Sequence, residues 1–308
     1  MSTQLVTFRS GALACRGWLV TPEGVAPPWP AVVLAHGLSA THAFHYWDVA
    51  ERLAQAGFAA FDFDPRHVGA SDGWPRQVLR ASRQVEDLHA AVACLRRRDD
   101  VDPDRVAVWG SSLGGGLAMD VAAADQRLAG AVAVVPQVDG LTNVPDAPLG
   151  VRVALMAAAV ADGARRLVGR SPLLVPAFGP SPRSRAVLTR DNAWNALMEG
   201  VQPGGRWLEP GRVYETGDSR FRNEIPAWDV FSTLFYRPIR RTARIRCPLL
   251  MIVGSEDRVT PPAAQRRAAA QAEAELVELR CKHFDPFRTT HMPEVLARSA
   301  EFLHRHLV

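Results

Sequence analysis

The sequence predicts an α/β chain: a doubly wound, mostly parallel sheet with a helical lid inserted after the sixth strand. Three observations lead there. Short apolar runs alternate with helical patterns along most of the chain, the rhythm of βαβ units. A glycine-bracketed serine, Gly110-Ser111-Ser112-Leu113-Gly114, stands between one such run and a helical pattern. From Pro136 to about Arg246 the rhythm lapses into Pro/Gly-rich pieces, and it resumes at Cys247.

The elements follow in order. Leu5–Arg9 and Leu13–Val20 read as strands joined at Ser10-Gly11, a hairpin turn. Pro27-Pro28-Trp29-Pro30 delivers the chain into Ala31–Ala35, a continuous apolar run suited to a strand buried on both faces. A helix is expected near Trp47–Gln55, a strand at Ala59–Phe63 and a helix around Arg83–Leu95. Arg96-Arg97-Arg98 fits that helix's end, where positive charge is favourable. Asp102-Pro103-Asp104 introduces a strand at Val106–Trp109, a helix begins at Leu113, and Gly130–Val135 is the sixth strand. Inside the insert, Val151–Leu167 reads as a helix docked by one apolar side on the protein's own core. Cys247–Val253, Ala263–Ala272, Leu276–Leu279 and Glu294–Leu307 then complete the pattern as strand, helix, strand and helix. The division is a core of residues 1–135 and 247–308 with a cap of residues 136–246.

With 308 residues, 47% of them hydrophobic, the chain can bury the core of one large domain with an insertion. The formal charge of +4 is nearly all arginine, since Lys282 is the only lysine. No long basic run or aromatic-interleaved patch accompanies it, which argues against nucleic acid. No apolar run approaches the roughly 20 residues needed to cross a bilayer. The opening residues lack the basic and apolar regions of a signal peptide, so a cytoplasmic protein without membrane partners is expected. Cys15, Cys94, Cys247 and Cys281 form no C-x-x-C pair and read as free thiols. His36, His42 and His45 lack a second ligand group at metal spacing, so neither a metal nor another cofactor is expected.

Chemistry concentrates at the glycine-bracketed turn. A serine hydroxyl needs a base within hydrogen-bond reach and an acid to orient that base. Ser112, not Ser111, has glycine at both i−2 and i+2, which keeps side chains out of a sharp strand-to-helix bend. In this architecture the acid and then the base come later in the chain. Gly254-Ser255-Glu256-Asp257 follows the resumed strand, with Asp257 the better acid and Glu256 the lesser. His283 stands just past the last strand, and His291, nearer the closing helix, is the alternative base. An acyl-transfer transition state also needs N–H donors for its oxyanion. Leu113, next to the nucleophile, supplies one, and the loop His36-Gly37-Leu38 after the third strand supplies the other from Leu38. Gly37 is expected to allow an unusual backbone shape there.

These residues carry a resemblance. His36-Gly37, the loop Asp64-Pro-Arg-His-Val-Gly-Ala-Ser-Asp-Gly73 with Pro75-Arg76-Gln77, the turn at Ser112, the Asp257 loop and His283-Phe-Asp-Pro-Phe287 together look like the α/β-hydrolase superfamily over essentially the whole chain. More closely, they resemble its branch of dienelactone hydrolases, S15-type peptidases and esterases, and polyketide transferases. The resemblance implies a cofactor-free serine triad acting on an ester, thioester or related acyl bond, with a place in secondary metabolism.

The expected activity is therefore hydrolysis through a Ser112 acyl-enzyme, on a small-molecule acyl ester or thioester offered free or on a carrier. An acyltransferase using the same triad is the alternative within enzymes, and a non-hydrolytic binding or cyclase-like use of the fold is the alternative outside them. The insert suggests a hydrophobic acyl group. Met156, Leu174, Val175, Phe178, Trp194, Leu197, Met198, Trp207, Trp228, Phe231, Leu234, Phe235 and Tyr236 are available to a pocket, although most suit the insert's own core. Arg152, Arg165, Arg166 and Arg170 could meet an anionic substrate group, but a solvated helix face accounts for them better.

Overall fold

The computed structural model describes residues 1–42, 46–143, 147–191, 223–287 and 290–308, except the Trp47 side chain. Eight strands form one sheet: β1 (Ser2–Ser10), β2 (Leu13–Thr21), β3 (Trp29–Ala35), β4 (Ala59–Asp64), β5 (Val101–Ser111), β6 (Gly130–Val134), β9 (Leu249–Gly254) and β10 (Glu275–Leu279). Their order is β1-β2-β4-β3-β5-β6-β9-β10. The β1–β2 hairpin and the β2–β4 pair are antiparallel, and every other neighbour is parallel. The antiparallel edge spares the first two strands any crossover.

Helices α1 (Tyr46–Gln55), α2 (Ala81–Leu95), α3 (Leu113–Ala124), α6 (Pro262–Gln271) and α7 (Met292–Leu307) surround the sheet. The chain steps one way from β3 to β4 and then back across β3 to β5. Right-handed crossovers therefore place α1 and α2 on opposite faces. α1 packs against α7 and α2 against α3, so both faces are covered. That explains the composition: β4, β6 and β9 are buried at every residue. The carboxyl ends of β3 and β5 meet at the reversal of strand order, the place where ligands bind in open α/β sheets.

Element boundaries differ from expectation by small amounts. α1 starts at Tyr46 and α2 at Ala81. β5 runs from Val101, taking Asp102-Pro103-Asp104 into the strand rather than before it. Arg96 does close α2 as its C-cap residue, and it also reaches Asp125 at 2.6 Å. All four cysteines are free. Among the described residues, no helix is long and apolar enough to cross a membrane.

Between β6 and β9 lie α4 (Leu149–Leu167), a two-stranded ladder of β7 (Leu174–Val175) and β8 (Ile225–Pro226), and α5 (Asp229–Leu234). Leu155, Ala159, Val175, Phe178, Ile225 and Tyr236 join the same apolar cluster as the sheet. α4 docks through a narrow face: Leu155 and Ala159 point inward, while Leu149, Val153 and Val160 stand 58–69% exposed. A buried ionic knot anchors the segment. Arg166 bridges Asp162 (3.2 Å) and Asp229 (3.1 Å), both fully buried. Asp162 accepts the Leu173 and Trp228 N–H groups, and Asp229 accepts that of Leu79 at the entry to α2. Arg166 is thus taken up by two buried carboxylates, its side chain only partly exposed, contrary to the solvated face expected for it.

Candidate active site

Ser112 stands between β5 and α3 with φ 54° and ψ −121°, a backbone conformation that is costly for a residue with a Cβ. The glycines around it explain how the bend closes. A Cβ on Gly110 would run into the Gly114 carbonyl, and one on Gly114 into the carbonyl of Ala35 at the end of β3. Gly115 lies so close to Pro136 that a Cβ would come within 2.9 Å of it. The turn therefore presses against its neighbours on both sides, and the half-buried hydroxyl of Ser112 is left facing the strand ends.

His283 and Asp257 reach that hydroxyl from loops after β10 and β9. His283 Nε2 lies 2.9 Å from Ser112 Oγ, and its Nδ1 lies 2.8 Å from Asp257 Oδ2. Asp257 is held by the Val259 and Thr260 N–H groups, each donating to Oδ1 at 2.8 Å. The Thr260 hydroxyl donates to Oδ2 at 2.7 Å. Both Asp257 and His283 are buried. With Asp257 accepting at Nδ1, the imidazole offers a bare Nε2 to the serine proton. The alternatives lie elsewhere: Glu256 pairs with Arg280 at 2.9 Å, and His291 is the N-cap residue of α7.

The loop after β3 leans on the same bend. A Cβ on Gly37 would come within 3.3 Å of the Tyr46 hydroxyl, a tight contact, and would touch the Ser111 carbonyl and the Ser112 Cβ at an ordinary 3.6 Å. Gly37 is not in the left-handed region, contrary to expectation; that conformation falls on Ser39, at φ 59°. What glycine provides at 37 is room for the Tyr46 hydroxyl rather than an unusual φ. The Gly37 N–H donates to the Tyr46 hydroxyl at 2.6 Å. Leu38 borders the cavity that Ser112 opens into, and its N–H finds no acceptor among the described residues. Leu113, the first residue of α3, likewise has no intrahelical acceptor for its N–H.

Two carboxylates of β4 hold this loop from beneath: Asp64, which opens the Asp64–Gly73 loop, and Asp62, which no motif marks. Asp62 contacts His36 Nε2 at 2.5 Å and His42 Nδ1 at 2.9 Å, while Asp64 accepts the N–H groups of His42 and Ala70. Burial alone would lower the His36 pKa, but the charge and hydrogen bond of Asp62, with Asp64 behind, outweigh it and raise it. Burial would push Asp62 up, yet the charge on His36 and the bonds from both histidines hold it well below the carboxylate range. Burial wins at Asp64, whose pKa is raised. Acidic residues inside the apolar run Ala59–Asp64 were the available signal. His45 lies outside the described residues.

A cavity of about 310 Å³ opens over Ser112. Leu155, Met156, Val187, Leu188, Phe231 and Leu234 supply most of its apolar wall, with Gln137, Asn143 and Arg152 among its polar members. Of the apolar residues anticipated in the insert, Met156, Phe231 and Leu234 line it. Val175, Phe178 and Tyr236 are buried in the core, Trp228 packs on Gly163, and Leu174 and Phe235 are exposed. Trp194, Leu197, Met198 and Trp207 lie outside the described residues. Arg152 borders the cavity, while Arg165 donates to the Ser171 carbonyl.

Comparison with known proteins agrees with this architecture. The chain is 31% identical over 301 residues to the quorum-quenching protein AidA of Acinetobacter baumannii, covering 97% of this chain and 94% of that one. It is 30% identical over 275 residues to a polyketide transferase of Stachybotrys chlorohalonatus, covering 87% and 84% of the two chains. The solved structure of the alpha/beta hydrolase GrgF from a Penicillium species superposes with a TM-score of 0.81 at 25% identity, covering 100% of this chain and 99% of that one. Residues 30–288 match the family defined by the alpha/beta hydrolase fold, so this chain belongs to the alpha/beta hydrolases and is an enzyme acting on ester-type bonds.

Proposed function

We propose that the protein is a serine hydrolase that cleaves esters or thioesters of a medium-sized apolar acyl group through a Ser112 acyl-enzyme. The observation that carries this reading is the unbroken relay from Ser112 Oγ through His283 to Asp257 at 2.9 and 2.8 Å. Ser112 Oγ attacks the acyl carbonyl as its proton passes to His283 Nε2, and Asp257 holds the imidazolium that forms. The carbonyl oxygen, now an oxyanion, is received by the N–H groups of Leu113 and Leu38. Collapse breaks the bond to the leaving oxygen or sulfur, which takes the proton from His283. Water, deprotonated by the same imidazole, then releases the acid and restores Ser112. The apolar cavity favours an aliphatic or aromatic acyl chain, since each methylene placed in such a wall is worth roughly 1–3 kcal/mol.

The test is a series of p-nitrophenyl and thiophenyl esters from acetyl to decanoyl, with fluorophosphonate labelling. The octanoyl ester is expected to exceed the acetyl ester in kcat/KM by about tenfold or more. Ser112→Ala should lose labelling and lower kcat by about 10³-fold or more. Labelling that persists in Ser112→Ala would falsify the nucleophile assignment, and a preference for acetyl would remove the apolar acyl group. Similarity to a polyketide transferase favours a second reading, acyl transfer to an alcohol or amine in place of water. Product analysis with and without a nucleophilic acceptor separates the two.

A further inference from the structure

The seam between the loop after β3 and the end of β5 is crossed by one tyrosine. Tyr46, the first residue of α1, is almost completely buried and extends its hydroxyl into that seam. The hydroxyl accepts the Gly37 N–H at 2.6 Å and lies 2.6 Å from Ser111 Oγ. Gly37 directly precedes Leu38, and Ser111 directly precedes Ser112, with Leu113 one residue further on. A single oxygen therefore joins the residue before one candidate oxyanion donor to the residue before the candidate nucleophile.

The chemistry suits a fixed strut. Burial pushes the ionisation of Tyr46 up, so the hydroxyl keeps its proton and can donate to Ser111 while accepting from Gly37. The ring is held in turn by His36, with ring centroids 4.3 Å apart, and by Trp109 of β5 at 6.3 Å. The ends of the His36–His42 stretch are secured separately, through Asp62 and Asp64 on β4. The β4 carboxylates thus hold the loop down, whereas Tyr46 sets its distance from the bend that carries Ser112.

We infer that Tyr46 is a positioning residue for the reaction: its hydroxyl ties Gly37 to Ser111 and so sets the spacing of the Leu38 and Leu113 amides around the oxyanion. This rests on the serine-hydrolase reading above. Tyr46 itself touches neither substrate nor the Ser112 hydroxyl in this arrangement. A strut acts on transition-state geometry rather than on ground-state binding, so its loss should fall on kcat.

The experiment is steady-state kinetics on the preferred p-nitrophenyl ester with wild type, Tyr46→Phe, Ser111→Ala and the double variant, alongside melting temperatures and fluorophosphonate labelling. Tyr46→Phe is expected to lower kcat by about 10–100-fold with KM within about twofold, because a small misplacement of aligned groups costs that much. Ser111→Ala should lose less, since the Gly37 bond survives. The double variant should match Tyr46→Phe rather than multiply the two losses. Unchanged kcat in Tyr46→Phe, a loss confined to KM, or multiplicative losses would each overturn the inference. If Tyr46→Phe does not fold, Ser111→Ala decides: a kcat lowered about threefold or more at constant KM supports the strut, and wild-type kcat removes it. An inactive wild type overturns the hydrolase reading and the strut together, whereas an active wild type equalled by Tyr46→Phe overturns the strut alone.

Discussion

The hydroxyl of Thr260 donates to Asp257 Oδ2 at 2.7 Å, the same carboxylate oxygen that faces His283 Nδ1. Thr260 is itself held in place: its hydroxyl lies 3.1 Å from the Val135 carbonyl, and its own carbonyl accepts from Gln265 at 2.5 Å. A donor on that oxygen draws charge away from the imidazole and fixes the carboxylate plane. Thr260→Val keeps the shape and removes the donor. The carboxylate is then held on one oxygen only, by the Val259 and Thr260 N–H groups, and orients the imidazole less firmly. At pH 7 kcat/KM is expected to fall about 3–10-fold, the worth of one net hydrogen bond. Thr260→Ser should restore the activity; wild-type kcat/KM in Thr260→Val counts against the assignment.

Stability should carry a mark of the buried His36–Asp62 pair. The folded state raises the His36 pKa above its unfolded value of about 6.5. Its contribution is therefore fully present below about pH 6.5 and is lost as the pH rises through the folded-state value. Urea unfolding of the wild type from pH 6 to pH 10 should show this decline. Asp62→Asn should flatten the corresponding part of the slope and lower stability by about 3–5 kcal/mol at pH 6, the cost of breaking a buried pair. Equal slopes in the two proteins would show that the pair does not titrate with folding.

One substitution should act with opposite sign at two glycines. Gly114→Ala drives a methyl group into the Ala35 carbonyl and should cost about 3 kcal/mol or more, because neither backbone can retreat. Gly150, near the start of α4, has open space around its Cβ position and no left-handed φ. Gly150→Ala is expected to stabilise by up to about 1 kcal/mol through helix propensity. Denaturation midpoints of the two variants decide the matter.

The ionic knot on α4 predicts a mechanical coupling. Arg166→Met leaves Asp162 and Asp229 buried without their shared cation, at a cost of about 3–5 kcal/mol. Because Asp162 also caps the Leu173 and Trp228 amides, the connection after α4 should loosen first. Limited proteolysis is expected to cut near residues 168–172 faster in this variant than in the wild type. Unaltered cleavage rates would place the load elsewhere.

Much of this architecture was legible from local pattern. The apolar runs of β3, β5, β6 and β9 read correctly because strands buried on both faces must be apolar at every position. The bend at Ser112 was visible because only glycine fits on either side of so close a turn. Asp257 and His283 could be named from their order and their places just after strands, since the loops at the carboxyl ends of a parallel sheet all open on one rim.

Other features depended on distance in space. Gly37 looked like a residue chosen for backbone freedom, and only the approach of the Tyr46 hydroxyl revealed that space was what it provided. Tyr46 and Thr260 carry no motif: each matters through one hydroxyl aimed across a seam between segments far apart in the chain. Arg166 of α4 looked solvated until Asp229, contributed from beyond the next ladder, turned out to pair with it. The sequence by itself determined the fold class, the order of the core elements and the candidate reactive groups, because each is encoded in short-range periodicity and turn chemistry. Only the tertiary structure decided which hydroxyls, carboxylates and amides meet around Ser112, because hydrogen bonds depend on angstrom-scale distances that long-range packing alone sets.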